Sequence, residues 1–133
     1  MAARSINYTG LKVGELVPFA SALVKGTDEN KLVKISANGT VVLTTTEDTN
    51  FFGIVRVIDA ADGLASVQVD GVAIHGYDPD HDPTVTTGSG WAGLQVGKTT
   101  FNTVKPVTEA AGIPMYRILA VDTVNHLITF ILG

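Results

Sequence analysis

Apolar and polar residues alternate along this chain in short runs broken by glycine, asparagine and aspartate. The clearest case is Leu32-Val33-Lys34-Ile35-Ser36, followed by Ala37, Asn38-Gly39 and Thr40-Val41-Val42-Leu43-Thr44. Asn-Gly between two β-rich runs predicts a hairpin with a type I′ turn. Next, Phe51-Phe52-Gly53 leads into Ile54–Asp59, the turn Ala60-Ala61-Asp62-Gly63, and then Leu64–Val69. Val67 and Val69 alternate with Ser66, Gln68 and Asp70, the period of a half-buried strand. Residues 94–107 predict two weaker strands around Gly97-Lys98, and the chain ends in a further hairpin. Pro18 predicts a break in the stretch from Leu11 to Val24. No segment keeps a helical period over ten residues, and Thr108–Gly112 has room for one helical turn at most.

The closing segment repeats an earlier one. Sliding the chain by 63 residues lays Asp59 on Asp122, Leu64 on Leu127, Val67 on Phe130 and Val69 on Leu132. Each copy reads as strand, aspartate at the turn, four-residue connection, leucine, strand. The expectation is two similar hairpins within one barrel or sandwich, since a solenoid needs three or more repeats. Residues 1–10 are polar and mixed, with Ile6 and Tyr8 alternating. They are expected to form an extended N-terminal arm, and residues 11–133 a single β domain.

Composition narrows the class. Valine, isoleucine and threonine supply 42 of the 133 residues, side chains that suit a pleated surface better than a helix. The expected fold is therefore all-β, a small barrel or sandwich of short antiparallel strands. There is no cysteine, which excludes disulfides and thiolate chemistry. The net charge of −4 gives no general attraction to a phosphate backbone, so nucleic acid is not an expected partner. No apolar run is long enough for a membrane span and no secretory leader is visible. Charged residues are only 17% of the chain against 45% apolar, which points to association with itself or with a large partner.

Ile74-His75-Gly76-Tyr77-Asp78-Pro79-Asp80-His81-Asp82-Pro83 is the stretch richest in candidate chemistry. Asp78-x-Asp80-x-Asp82 copies the start of a calcium loop, but position six is Pro83 instead of glycine and position twelve is Ser89 instead of glutamate. His75, Asp78, Asp80, His81 and Asp82 are weak candidates for a transition metal. The competing reading, a proline-stiffened surface loop whose aspartates cap their own backbone, is favoured. Gly88-Ser89-Gly90 lacks nucleophile-elbow spacing, so no catalytic residue is assigned. Ala92–Thr99 resembles a phosphate-binding loop with its first glycine replaced by Ala92. The β-branched TFNTVKP region that follows cannot open the helix such a loop requires. Trp91 and the other aromatics are scattered and read as core or interface anchors. Arg56 and Arg117 lie in apolar strands and are candidates for intersubunit ion pairs with Asp59, Asp122 or Glu109 of a neighbouring copy.

The ordered set GELV, LVKIS-NG-TVVL, FFGIVRV, ADG-LASVQVDGVA, VGKTTF, VKPVT and PMYRILAVD…LITFIL resembles the capsid decoration, or cement, proteins of tailed bacteriophages. The resemblance spans about residues 11–132. It departs where Tyr116-Arg117 replaces a usual glycine-arginine, and the loop at 74–83 has no counterpart. It implies a β-tulip or related barrel-like fold, a homotrimer, and a place on the outer surface of the virion capsid, where the trimer clamps neighbouring subunits of the major capsid protein. It also implies that the arm, with Ala3, Arg4, Ile6 and Tyr8, reaches onto the shell or an adjacent protomer. The expected function is structural, with no enzyme activity and no cofactor. Two alternatives stand beside it: a carbohydrate-binding or adhesive β-module using Trp91 and the acidic loop, and a small metal-dependent enzyme using His75, His81 and the aspartates.

Overall fold

A computed structural model of the chain describes residues 15–81, 83, 91–97, 101–107 and 115–133. Ten strands run through these residues: β1 (Leu16–Ala20), β2 (Leu32–Ala37), β3 (Thr40–Leu43), β4 (Gly53–Asp59), β5 (Leu64–Gln68), β6 (Val72–Gly76), β7 (Trp91–Val96), β8 (Val104–Val107), β9 (Met115–Asp122) and β10 (Leu127–Ile131). No helix occurs among the described residues, so the protein is all-β as its β-branched composition requires. The arm at 1–10, the segment 108–112, Lys98 and Asp82 lie outside the described residues.

The strands form two five-stranded sheets with one topology. The first is a closed barrel ordered β1-β3-β2-β4-β5, and the second runs β6-β10-β9-β7-β8. With β1 set on β6, every neighbour relation matches: β5 on β10, β4 on β9, β2 on β7, β3 on β8. The register matches too. β1 pairs antiparallel with β5 from Leu16↔Gln68 to Ala20↔Leu64, and β6 pairs with β10 from Val72↔Ile131 to Gly76↔Leu127. The 63-residue slide seen in the sequence carries the β4–β5 hairpin onto β9–β10, whereas Leu16 falls on Val72 and Val33 on Ala92, at other spacings. The two similar hairpins, β4–β5 and β9–β10, lie one in each sheet.

Local details repeat with the topology. In β4 the pairing skips Arg56, with Val55↔Val67 followed by Val57↔Ser66. In β9 it skips Leu119, the residue 63 positions on, with Ile118↔Phe130 and Ala120↔Thr129. Each hairpin therefore carries a β-bulge at the same place, which sharpens the twist there. The turns agree as well. Gly63 has φ +65° and His126 φ +56°, each the last residue of its turn. The carboxylate of Asp59 accepts from Asp62 N, and that of Asp122 accepts from Val124 N and Asn125 N. Ser21 N donates to Gly63 O at 2.9 Å, and Tyr77 N donates to His126 O at 3.0 Å.

Strand alternation divides the core in two. Val33, Val41, Val55, Ile58, Ala65 and Val67 fill the barrel. Their neighbours Leu32 and Ile54 belong instead to the core of the second sheet, with Phe51, Tyr77, Leu94, Ile118, Ile128 and Phe130 among others. The two sheets therefore share a wall. Phe51 stacks on Tyr116 with ring centroids 5.5 Å apart, and both rings meet Phe130 edge-on. Hydrogen bonds also tie the halves, among them Leu32 N to Asn102 Oδ1 at 2.7 Å and Val96 N to Thr49 O at 2.9 Å.

Two local expectations change. Pro18 does not break the chain but lies inside β1, opposite Ser66. Among the described residues, β1 meets β3 at Ala20↔Thr40 alone besides β5, so none of them asks Pro18 for an N–H. The β2–β3 turn is at Asn38-Gly39, but only Gly39 has positive φ, so it is not type I′. A register shift between Ile35 and Ala37 supplies the twist that the primed turn would have given.

Candidate functional site

The stretch around His75 and His81 begins as a strand. Ile74, His75 and Gly76 belong to β6, and Tyr77 forms an isolated parallel bridge with Val104 that links the two ends of the second sheet. Tyr77 and Asp78 are completely buried, and only from Pro79 does the chain turn outward. The expected surface loop is thus confined to its second half. The buried rings of His75 and Tyr77, two places apart, have strand spacing, a signal masked by the aspartates and prolines that follow.

His75 closes the sheet. Its Nε2 lies 2.9 Å from Asn102 O, just before β8, and since a carbonyl only accepts, Nε2 carries the hydrogen. Asn102 has φ +61° and turns its side chain to Leu32, so one residue joins β6, β8 and the barrel. Burial pushes the His75 pKa below its ordinary value, the hydrogen bond to Asn102 opposes this, and the positive charge of Arg56 adds to the lowering.

Asp78 anchors the turn. Its N–H donates to Val104 O at 2.7 Å, its carbonyl accepts from His81 N, and its Oδ1 accepts from Asp80 N at 3.1 Å. Its Oδ2 is 3.6 Å from His81 Nδ1, across the first turn of the loop. This is the self-capping expected of an aspartate before proline. Among the described residues, no three histidine, aspartate or glutamate side chains stand close enough together to hold a metal ion. His75 faces Asn102, Asp80 is exposed, and Asp82 lies outside the described residues. Among the described residues, no helix is long and apolar enough to cross a membrane.

The two arginines sit differently. Arg56, at the bulge of β4, is half-buried and donates through Nε to Gln68 Oε1 at 2.9 Å and through Nη1 to Asn30 Oδ1 at 2.8 Å. Gln68 in turn donates to the carbonyls of Asp70 and Val72, where the chain passes from one sheet to the other. Arg56 is thus used within its own chain at the joint between the halves, and burial lowers its pKa. Arg117 is exposed on β9 and lines a shallow groove of about 350 Å³ with Met115, Ile131, Leu132 and Gly133. Ala3, Arg4, Ile6 and Tyr8 lie outside the described residues. The strand β7 runs through Ala92–Val96 of the phosphate-loop look-alike, and among the described residues no helix follows.

Sequence reading missed the outward faces of the two sheets. On the barrel, Pro18, Ser66 and Val57 are in register across β1, β5 and β4, with exposed Leu16 and Leu64 beside them. On the second sheet, Ile74, Thr129 and Ala120 occupy the same positions across β6, β10 and β9, with exposed Leu127, Leu119 and Met115 around them. Ile74 and Val57 are each 54% exposed, high for such residues. The signal was present in Leu127-Ile128-Thr129-Phe130-Ile131, where both alternating sets are largely apolar.

No family model matches the chain, and neither a curated protein nor a solved structure matches it. Its role is therefore read from its own surfaces.

Proposed function

We propose that the chain is a structural decoration protein on the outer surface of a tailed-bacteriophage capsid, acting as a homotrimer that clamps neighbouring subunits of the major capsid protein. The observation that carries this reading is the pair of outward apolar faces on two β-sheets. Faces of this kind ask for a protein partner. The ordered motifs that resemble decoration proteins name the partner. The buried, self-satisfied hydrogen bonding of His75 and Asp78 fits a binding role better than chemistry. Binding proceeds by burial of apolar surface, with the arm at residues 1–10 adding a strand to its target. Many copies on one shell supply avidity, so each contact works even when weak alone.

The test is co-sedimentation of the purified protein with expanded, undecorated phage heads. The full chain pellets with the heads, and a chain lacking residues 1–10 keeps its fold by circular dichroism but stays in the supernatant. Failure of the full chain to bind heads of any state refutes the reading. Full retention of binding without the arm refutes the arm's part in it.

A further inference from the structure

The two outward faces are the same surface built twice. A small hydroxyl residue is central to each, Ser66 on the barrel and Thr129 on the second sheet. Pro18 and Ile74, Leu64 and Leu127, and Val57 and Ala120 occupy matching places around it. Repetition of topology explains matching positions, but it does not require these solvent-facing positions to be apolar. A surface strand exposed on one side ordinarily alternates apolar with polar.

The charges around the two faces differ. Exposed Glu15 precedes Leu16, exposed Asp59 is in register with Leu64, and exposed Asp62 lies in the adjoining turn, so the barrel face has an acidic rim. The Arg56 charge beside it is turned into Gln68 and Asn30. The face of the second sheet carries Arg117, in register with Ile131, and Lys105 farther out on the same side, with Asp122 at the turn. Two barrel faces brought together would set acid against acid. A barrel face against a second-sheet face sets acid against base.

We propose that the barrel face of one copy docks on the second-sheet face of another, a head-to-tail contact centred on Ser66 and Thr129. Each copy carries one face of each kind, so the contact repeats from copy to copy and closes into a ring when its rotation allows. The contact concerns copies of this chain alone and holds whatever the ring sits on.

Light scattering coupled to size exclusion tests it on the isolated protein, without capsids. The wild type runs as an oligomer. Ser66→Arg and Thr129→Arg each run as monomers with an unchanged circular dichroism spectrum. Mixed in equal amounts, the two variants form a one-to-one dimer and nothing larger, because one intact face remains on each. Leu64→Glu and Ile74→Glu form a second pair with the same expected behaviour, should an arginine variant fail to fold. A monomeric wild type overturns the proposal. So does a folded single variant of either face that still assembles as the wild type does, since a contact between like faces would tolerate one of them. A mixture that stays monomeric overturns it as well.

Discussion

The two sheets share strand order, register, bulge and turn, and in each a single parallel pair joins the end strands, Ala20↔Thr40 in the barrel and Tyr77↔Val104 in the second sheet, yet their interiors are filled differently. The difference is in the volume of what lies inside. The fully buried residues of the barrel are valines, one isoleucine and one alanine, with Phe19, Leu23, Leu43 and Val69 partly buried against them. At the matching places the second sheet carries Ile118 for Val55, Ile128 for Ala65 and Phe130 for Val67, with Tyr77 and Tyr116 added. Five strands enclose a narrow interior, and interiors pack at near-crystalline density, so larger side chains call for walls beyond the five strands themselves. Leu32, Ile54 and Phe51 of the first half then complete the second core. One topology thus supports a self-sufficient unit and a dependent one.

Core truncation sharpens that comparison most. Phe130→Ala should cost about 3–5 kcal/mol in a urea titration, whereas Val67→Ala at the matching place should cost about 2 kcal/mol. Equal losses would show that the two interiors are not differently filled. Gly53 and Tyr116 also match, and here the requirements are opposite. A Cβ on Gly53 would stand 2.5 Å from Gln68 O and 2.7 Å from Val67 Cγ1, while Tyr116 packs a whole ring on Phe51. Gly53→Ala should cost about 2 kcal/mol through overpacking, read from the same titration. An unchanged midpoint would mean the barrel wall yields there.

A smaller effect separates the sheets by pH. His75 and Phe19 occupy matching places, opposite Ile128 and Ala65, but only His75 titrates. Its folded pKa lies below the ordinary 6.5, so the unfolded chain binds the proton more readily. The associated stability is complete above pH 6.5 and is lost as pH falls through that value toward the folded pKa. Chemical denaturation at stepped pH should show this loss, and His75→Gln should flatten it between neutral and mildly acid pH. A wild-type profile identical to that of His75→Gln would remove His75 from the account. The smallest expected effect is shared: Asp59→Ala and Asp122→Ala each remove a turn-capping carboxylate and should lower the melting temperature slightly and alike. A loss confined to one would break the equivalence of the two hairpins.

The all-β class was legible from β-branched content and period-two runs, and the duplication was half legible from Asp59, Leu64 and Val67 against Asp122, Leu127 and Phe130. The rest of the repeat was hidden because β1 and β6, or β2 and β7, keep register without keeping residue type, as Pro18 against Ile74 shows. Backbone pairing constrains position, not side chain, once a residue faces solvent. The joint at Asn102 was also invisible, since its roles depend on positive φ and on contacts with Leu32 and His75 far away in sequence. His75 and Asp78 drew attention as metal donors because their residue types are shared by ligands and by buried hydrogen-bonding groups. Only burial and partners separate the two.

Amide hydrogen exchange followed by NMR tests the central claim, that one five-stranded unit occurs twice, at its most direct point. Ser21 N–H and Tyr77 N–H make the matching bonds that follow β1 and β6, to Gly63 O and His126 O. Both amides should be protected along with those of the strands beside them. Protection at Ser21 with free exchange at Tyr77 would contradict the claim.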